Sequence, residues 1–197
     1  MSSFVGHALA PVILYAASEP GRAPRRSGWL LVLVALALAP DVDYIVRALI
    51  LPGPPPIRVT HSLLGSLALP AVVVLVLRLR GVRGGALRLR ALQAGAAGVS
   101  HVVLDLLVGV TPAALLWPLS RWTVRLPGGV LPSAGAISLT NVYFYRNLLI
   151  ELGVLLPILG MVILLRSERS RTGRLIAVGG LGLVSICFML LSAGLSR

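Results

Sequence analysis

Three histidines, His7, His61 and His101, and three aspartates, Asp41, Asp43 and Asp105, are all that the 197-residue chain has of either type. Imidazole nitrogens and carboxylate oxygens are donors that grip zinc, manganese or iron. His101 and Asp105, in SHVVLDLL, stand four apart, so a helix sets both on one face a turn from each other. That spacing suits two ligands of one ion, and equally an intrahelical His–Asp hydrogen bond. Asp41 and Asp43, in APDVDY, directly follow an apolar run; carboxylates that close repel, and one stays protonated unless a cation lies beside them. Asp41, after Pro40, can also cap a short helix over residues 42–50, which accounts for one carboxylate and not for both. We expect Asp43 to bind directly, with Asp41 sharing the metal or orienting a histidine. His61, in RVTHSLLGS, and His7, in FVGHALAP, each taken alone, also fit polar residues at a membrane boundary.

The elements that must position these groups are apolar. Hydrophobic residues make up 57% of the chain and charged ones 12%, with a mean hydropathy of +0.94. Leu, Ala and Val dominate without strand-like alternation, so the expected fold class is all-α: a polytopic helical membrane protein of five to six transmembrane or re-entrant helices. Six runs qualify, at about 4–18, 28–40, 62–77, 88–108, 147–165 and 174–195, and the first three are short for a full crossing. They form one integral membrane domain over residues 1–197, with the motifs in about 4–122 and a helical pair at about 147–195. Pro54, Pro55 and Pro56 stiffen the connection at 41–60. Residues 111–146, with Trp117, Trp122, Tyr143 and Tyr145, suit an interfacial loop or a short helix at headgroup depth. The N-terminus lacks the basic start and cleavage site of a secretory signal, so residues 4–18 are expected to be retained structure. Cys187 is alone, which excludes an intrachain disulfide.

An up-and-down path through six segments draws the six polar residues together. His7 opens the first segment, Asp41 and Asp43 follow the second, His61 opens the third, and His101 with Asp105 closes the fourth. Starts of odd segments and ends of even ones share a membrane face. The net charge of +12 comes wholly from arginine, and twelve of the eighteen arginines lie in the connections on the opposite side. By the positive-inside rule the site and both termini face away from the cytoplasm. The charge could suggest nucleic-acid binding, but the arginines fall in short runs between apolar segments, where positive-inside loops would put them, so no nucleic-acid partner is expected. No feature calls for an obligate protein partner.

Three ionised, unpaired aspartates in hydrocarbon would together cost about 8–10 kcal/mol on insertion scales. A metal or a hydrated cleft removes that cost. The His and Asp ligand set favours zinc, with manganese or iron as alternatives, and six donors suffice for one or two ions. Two-metal sites suit phosphoester hydrolysis, in which Asp41, Asp43, His101 and Asp105 would be the catalytic groups. Arg58, Arg121 and Arg125 could bind phosphate oxygens, since guanidinium matches them bidentately, or could snorkel to headgroups. Glu151 is an intramembrane acid, a candidate extra ligand or proton carrier, or else a partner of Arg146.

The order Gly6-His7, Pro40-Asp41-Val42-Asp43, Thr60-His61-Ser62, HVVLD at 101–105 and GVTPAALLWPLS at 109–120 resembles the YdjM-like family of membrane-bound, predicted metal-dependent hydrolases. The likeness spans roughly residues 4–122. It implies metal-dependent hydrolysis at an inner membrane, and carries over His7, Asp41, Asp43, His61, His101 and Asp105, each in a matching motif. Members often show His-Arg-Gly-x before Thr-His-Ser; here Pro56, Ile57, Arg58 and Val59 stand instead, so an upstream histidine is missing and the arginine is displaced by one. More distantly, the ligand order is similar to that of zinc-dependent phospholipases C, an analogy for phosphoester chemistry.

The expected function is therefore a membrane-bound metal-dependent hydrolase of a phosphoester, lipids among the substrates, with membrane lipids as surroundings. Two other classes stay open. One is a cation or proton transporter using the His/Asp cluster, which would expose its site to both faces in turn. The other is a structural membrane protein whose metal only holds helices together.

Overall fold

Inside a bilayer the backbone has no water to bond, so each run of Leu, Val and Ala closes its own hydrogen bonds as a helix. The computed structural model describes residues 3–18, 27–43, 58–110, 112–127, 129–133, 140–167 and 170–195. Among them lie six α-helices: α1 (Phe4–Ser18), α2 (Ser27–Leu38), α3 (Leu63–Leu79), α4 (Gly84–Val108), α5 (Val142–Leu165) and α6 (Arg171–Ala193). The described residues contain no strand, only an isolated antiparallel bridge between Ala113 and Val124. The fold is all-α, as the apolar runs imply. Helices α4, α5 and α6, of 25, 24 and 23 residues, are long and apolar enough to cross a membrane. The first three have 15, 12 and 17 residues. Arg22, Arg25, Arg26, Arg47, Arg169, Arg197, the run Pro54–Pro56 and most of the short helix expected at 42–50 lie outside the described residues.

Helix α5 begins earlier than its apolar run. Asn141 caps it, its Oδ1 accepting from the Tyr143 amide at 3.1 Å, so Tyr143 and Tyr145 belong to its first turn rather than to the preceding loop. Their rings serve the same interfacial purpose from a helix end. At the start of α3 the Ser62 hydroxyl accepts from the Gly65 amide at 2.9 Å. Helix α4 ends where Gly109 turns left-handed at φ 67°; a side chain there would press on the Leu126 carbonyl 2.7 Å away.

Helix α4 is the axis of the fold, touching α1, α2 and α3, while α5 packs on α1 and carries α6. Far from the aspartates, the Gln93 side chain joins three helices: it accepts from Trp29 Nε1 at 2.7 Å and donates to Ser18 Oγ at 2.8 Å. Tyr15, Leu33, Leu36, Ala94 and Ala97 pack as one buried cluster on these same helices. Leu104, Val108, Leu131, Val154 and Leu155 form another toward the opposite end of α4. Helix α6 leaves most of its apolar side chains exposed, Ile176 and Leu190 among them, which fits contact with lipid.

Close approach of α3 and α4 depends on Gly98, one turn before His101. A Cβ at that position would collide with the Ser66 carbonyl and sit 2.8 Å from Pro70 Cγ. Small residues let membrane helices approach in this way. Gly98→Ala is expected to destabilise the fold by about 1–3 kcal/mol, the usual scale of overpacking, seen as a lowered Tm in detergent. An unchanged Tm would show that the crossing can relax.

Candidate metal centre

Each polar residue of the cluster arrives at the end of an element. Helix α1 presents His7 in its first turn, and α4 presents His101 and Asp105 one turn apart near its last. Pro40 lacks the N–H that would continue α2, and the chain tightens into a 3₁₀ turn, Ala39–Asp41, that delivers Asp41. A second 3₁₀ turn, Val59–His61, delivers His61 just before α3. His7, Asp41, His61, His101 and Asp105 are all buried, the first and fourth completely.

The donor atoms converge. His61 Nε2 lies 3.5 Å from Asp41 Oδ1, 3.6 Å from Asp105 Oδ2 and 3.0 Å from His101 Nε2. His101 Nε2 is in turn 3.6 Å from Asp41 Oδ1 and 3.9 Å from Asp105 Oδ2. The His7 ring stacks on that of His101 at 3.8 Å between centroids, with Nε2 3.5 Å from Asp105 Oδ1.

Hydrogen bonds at the far ring nitrogens decide what the near ones offer. His101 Nδ1 is 2.7 Å from the Ala37 carbonyl, one of the last-turn carbonyls of α2, and only a protonated Nδ1 can make that bond. The Thr60 hydroxyl donates its single proton to Asp43 Oδ2 at 3.2 Å, so it accepts from His61 Nδ1 at 2.9 Å. In the neutral rings both Nε2 atoms therefore carry lone pairs, pointed at each other across 3.0 Å. Such lone pairs repel unless a cation lies between or beside them.

Three further atoms repeat the demand: His7 Nδ1, His7 Nε2 and Asp41 Oδ1 are buried without a hydrogen-bond partner. A buried polar atom in that state costs about 1–3 kcal/mol. Zinc–nitrogen bonds of about 2.0–2.1 Å put neighbouring tetrahedral ligands about 3.3 Å apart, so the measured 3.0–3.9 Å spacings match one coordination shell. Two donor sets, Asp41–His61–His101 and His7–His101–Asp105, could each hold a metal ion, with every ligand atom within 4.8 Å of the others. Two carboxylates with neutral imidazoles balance one divalent charge, which suits a buried site.

Asp43, expected as a direct ligand, stands behind His61 instead. Arg58 grips it with two bonds, Nε to Oδ2 at 3.1 Å and Nη2 to Oδ1 at 2.9 Å. Asp41 occupies the place beside the imidazoles, because the 3₁₀ turn ends on it while Asp43 lies beyond. Burial alone would raise the Asp43 carboxyl, but the hydrogen bond and charge of Arg58, with His61 and Thr60, hold it below its ordinary range. Arg58 is itself 3.7 Å from Asp41 Oδ1 and lines a cleft with His61, Val102, Asp105, Pro112 and Ala113. Arg121 is exposed, and Arg125 donates to the Gly109 carbonyl at 2.9 Å, bracing the end of α4. Thr60 stands in the Thr60-His61-Ser62 motif, but its role as the partner of His61 Nδ1 emerges only in the fold, and the Ala37 carbonyl, being backbone, leaves no side-chain signal.

Glu151 serves α1. Its carboxylate accepts from the Ser3 amide at 3.2 Å and from the Ser3 hydroxyl, while Ser3 Oγ accepts from the Gly6 amide at 3.0 Å. Ser3 is an N-cap, and Glu151 supplies from α5 the carboxylate that a capping box normally takes from the helix itself, where Gly6 stands here. The His7 amide bonds the Ser3 carbonyl at 3.0 Å, so this cap sets the turn that carries His7. At the other end of α1, Arg166 Nη1 donates to the Ala16 carbonyl at 2.6 Å. Glu151→Gln is expected to destabilise the protein by about 1–3 kcal/mol in thermal unfolding while keeping stoichiometric metal, since it weakens a buried charged bond and removes no ligand. Loss of metal at unchanged stability would make Glu151 a ligand after all.

No curated protein and no solved structure matches the chain. Residues 1–192 match the family described as YdjM inner membrane protein, almost the whole chain and every residue of the cluster. With three helices fit to cross a membrane and a buried His/Asp cluster able to hold a metal, the chain belongs to the YdjM inner membrane protein family.

Proposed function

We propose that the chain is a metal-dependent hydrolase of phosphoesters, with its site opening away from the cytoplasm. The observation that carries this reading is the pair of imidazole lone pairs 3.0 Å apart, flanked by Asp41 and Asp105 and open to a cleft lined by Arg58. A bound divalent ion supplies Lewis acidity and lowers the pKa of water to about 7. His101 and His61 are held in one tautomer each by Ala37 and Thr60, so their Nε2 donors need no rearrangement. Arg58, steadied by Asp43, receives the phosphoryl oxygens. Asp41 Oδ1, which lacks a hydrogen-bond donor, would join the two imidazoles in holding the ion, and the attacking water gives up a proton. The water oxygen bonds to phosphorus, the bond from phosphorus to the alcohol oxygen breaks, and the proton passes to that leaving oxygen. The products are an alcohol and a phosphate. The outward orientation rests on the arginine bias, and thiol labelling of Leu119→Cys in a Cys187→Ser background on intact cells checks it.

The test is release of phosphate or alcohol from a panel of phosphomonoesters and diesters by purified, metal-replete protein, with Asp41→Asn as control. Turnover lost in the variant supports the reading. Stoichiometric metal with no turnover would overturn it. One observation favours cation transport instead: His7 and His101 are wholly buried. Metal flux into liposomes holding the protein, abolished in His101→Ala, would establish that reading.

A further inference from the structure

Both donor sets include His101, and the direction of its lone pair decides whether both can be filled. An imidazole nitrogen holds its lone pair in the ring plane, so an ion bound there lies in that plane. The rings of His7 and His101 are stacked, 3.8 Å between centroids and 11° between planes. Planes so nearly parallel do not meet within the cluster. An ion shared by these two rings would lie between them, about half of 3.8 Å outside each plane, and would face π clouds instead of lone pairs. The rings of His61 and His101 stand at 78°, so their planes cross, and the two Nε2 atoms 3.0 Å apart can meet at one ion.

The second set has nothing to offer in place of that lone pair. His101 Nδ1 carries the proton bonded to the Ala37 carbonyl at 2.7 Å, and its Nε2 lone pair serves a single ion. Without His101 the set is reduced to His7 and Asp105. Charge points the same way. Asp41 and Asp105 neutralise one divalent ion, whereas a second would bring two more positive charges into a buried site whose other carboxylate, Asp43, is already gripped by Arg58. His61 Nε2 and His101 Nε2 lie 3.5–3.9 Å from Asp41 Oδ1 and Asp105 Oδ2, which fits four donors around one centre. His7 Nε2 faces the other oxygen of that carboxylate, Asp105 Oδ1, at 3.5 Å. The Ser3–Glu151 cap fixes the turn that carries His7 there.

We propose that the cluster holds one divalent ion, on Asp41 Oδ1, His61 Nε2, His101 Nε2 and Asp105 Oδ2, and that His7 is a positioning residue whose Nε2–H holds Asp105 from behind. The inference stands on the metal centre and is independent of turnover. The full chain in detergent is loaded with zinc and dialysed, metal per chain is measured, and affinity is ranked by chelator competition, in wild type, His7→Phe, His7→Gln and His61→Gln. Phe keeps a ring against His101 without a nitrogen, and Gln offers an amide N–H in place of Nε2–H. The expected result is one zinc per chain in wild type and both His7 variants, with affinity about 10–100-fold lower in His7→Phe and back to within about threefold of wild type in His7→Gln. His61→Gln is expected to retain none. Cobalt loading adds a readout that a loss of stability alone does not move: the visible bands of the bound ion keep their positions in His7→Phe, which loses no ligand. Two zincs per chain or none in wild type, zinc retained in His61→Gln, zinc lost from either folded His7 variant, or shifted cobalt bands would overturn the proposal. So would His7→Phe binding like wild type, or His7→Gln binding as weakly as His7→Phe. If His7→Phe does not fold, wild-type stoichiometry and the affinity and cobalt bands of His7→Gln decide the question. One zinc per chain in this pattern with no turnover sinks hydrolysis and keeps the single-ion site.

Discussion

His101→Ala is expected to weaken metal binding by more than about 100-fold, beyond the 10–100-fold typical of residues behind the ligands, and to leave membrane insertion intact. His101 is common to both donor sets, Asp41–His61–His101 and His7–His101–Asp105, so no arrangement of one or two ions avoids it. Its removal also frees the Ala37 carbonyl and opens a cavity beneath the His7 ring, so some loss of stability accompanies the loss of metal. Elemental analysis of the purified variant beside wild type measures the first effect, and size-exclusion behaviour in detergent controls for the second. Asp105→Ala is expected to act in the same direction through the other end of the turn. Full metal occupancy in both variants would remove the cluster from consideration as a metal site.

Asp41→Asn and Asp43→Asn are expected to separate although they differ by two positions. Asp41 Oδ1 stands 3.5 and 3.6 Å from two imidazole Nε2 atoms and has no hydrogen-bond donor, so Asn there replaces a charged oxygen donor by a neutral amide. Asp43 stands behind His61, tied to Arg58 and Thr60. Its change to Asn leaves all the near donors in place but loosens the Thr60 relay that points His61, for a loss of about 10–100-fold in metal affinity. The Asp41 variant should lose stoichiometric metal altogether. Competition with a chelator of known affinity ranks the two, and the reverse order would return Asp43 to the metal.

Much of this was legible in the residues. Apolar runs between arginines gave six helices, because a segment of that composition in hydrocarbon has no other way to satisfy its backbone. Alternating helix direction then carried His7, Asp41, His61, His101 and Asp105 to one end, an argument that needs only connectivity. Helix limits were less legible at α5, since Tyr143 and Tyr145 are equally at home in an interfacial loop and in a capped first turn. The division of labour between Asp41 and Asp43 was hidden altogether. It depends on a 3₁₀ turn ending at Asp41 and on Arg58 reaching Asp43 across fifteen positions.

The sequence alone determined that the chain is a helical membrane protein with six metal-competent side chains gathered at one end, because hydropathy, helical spacing and the order of segments are all local or topological properties. Tertiary structure alone decided which atoms face one another. The Ala37 carbonyl, the Thr60 hydroxyl and the Ser3–Glu151 cap set tautomers and helix starts from partners 64, 1 and 148 residues away, and the approach of α3 to α4 depends on a glycine. Hydrogen bonds act over about 3 Å and ignore separation along the chain, so their choice among partners exists only once the helices are packed.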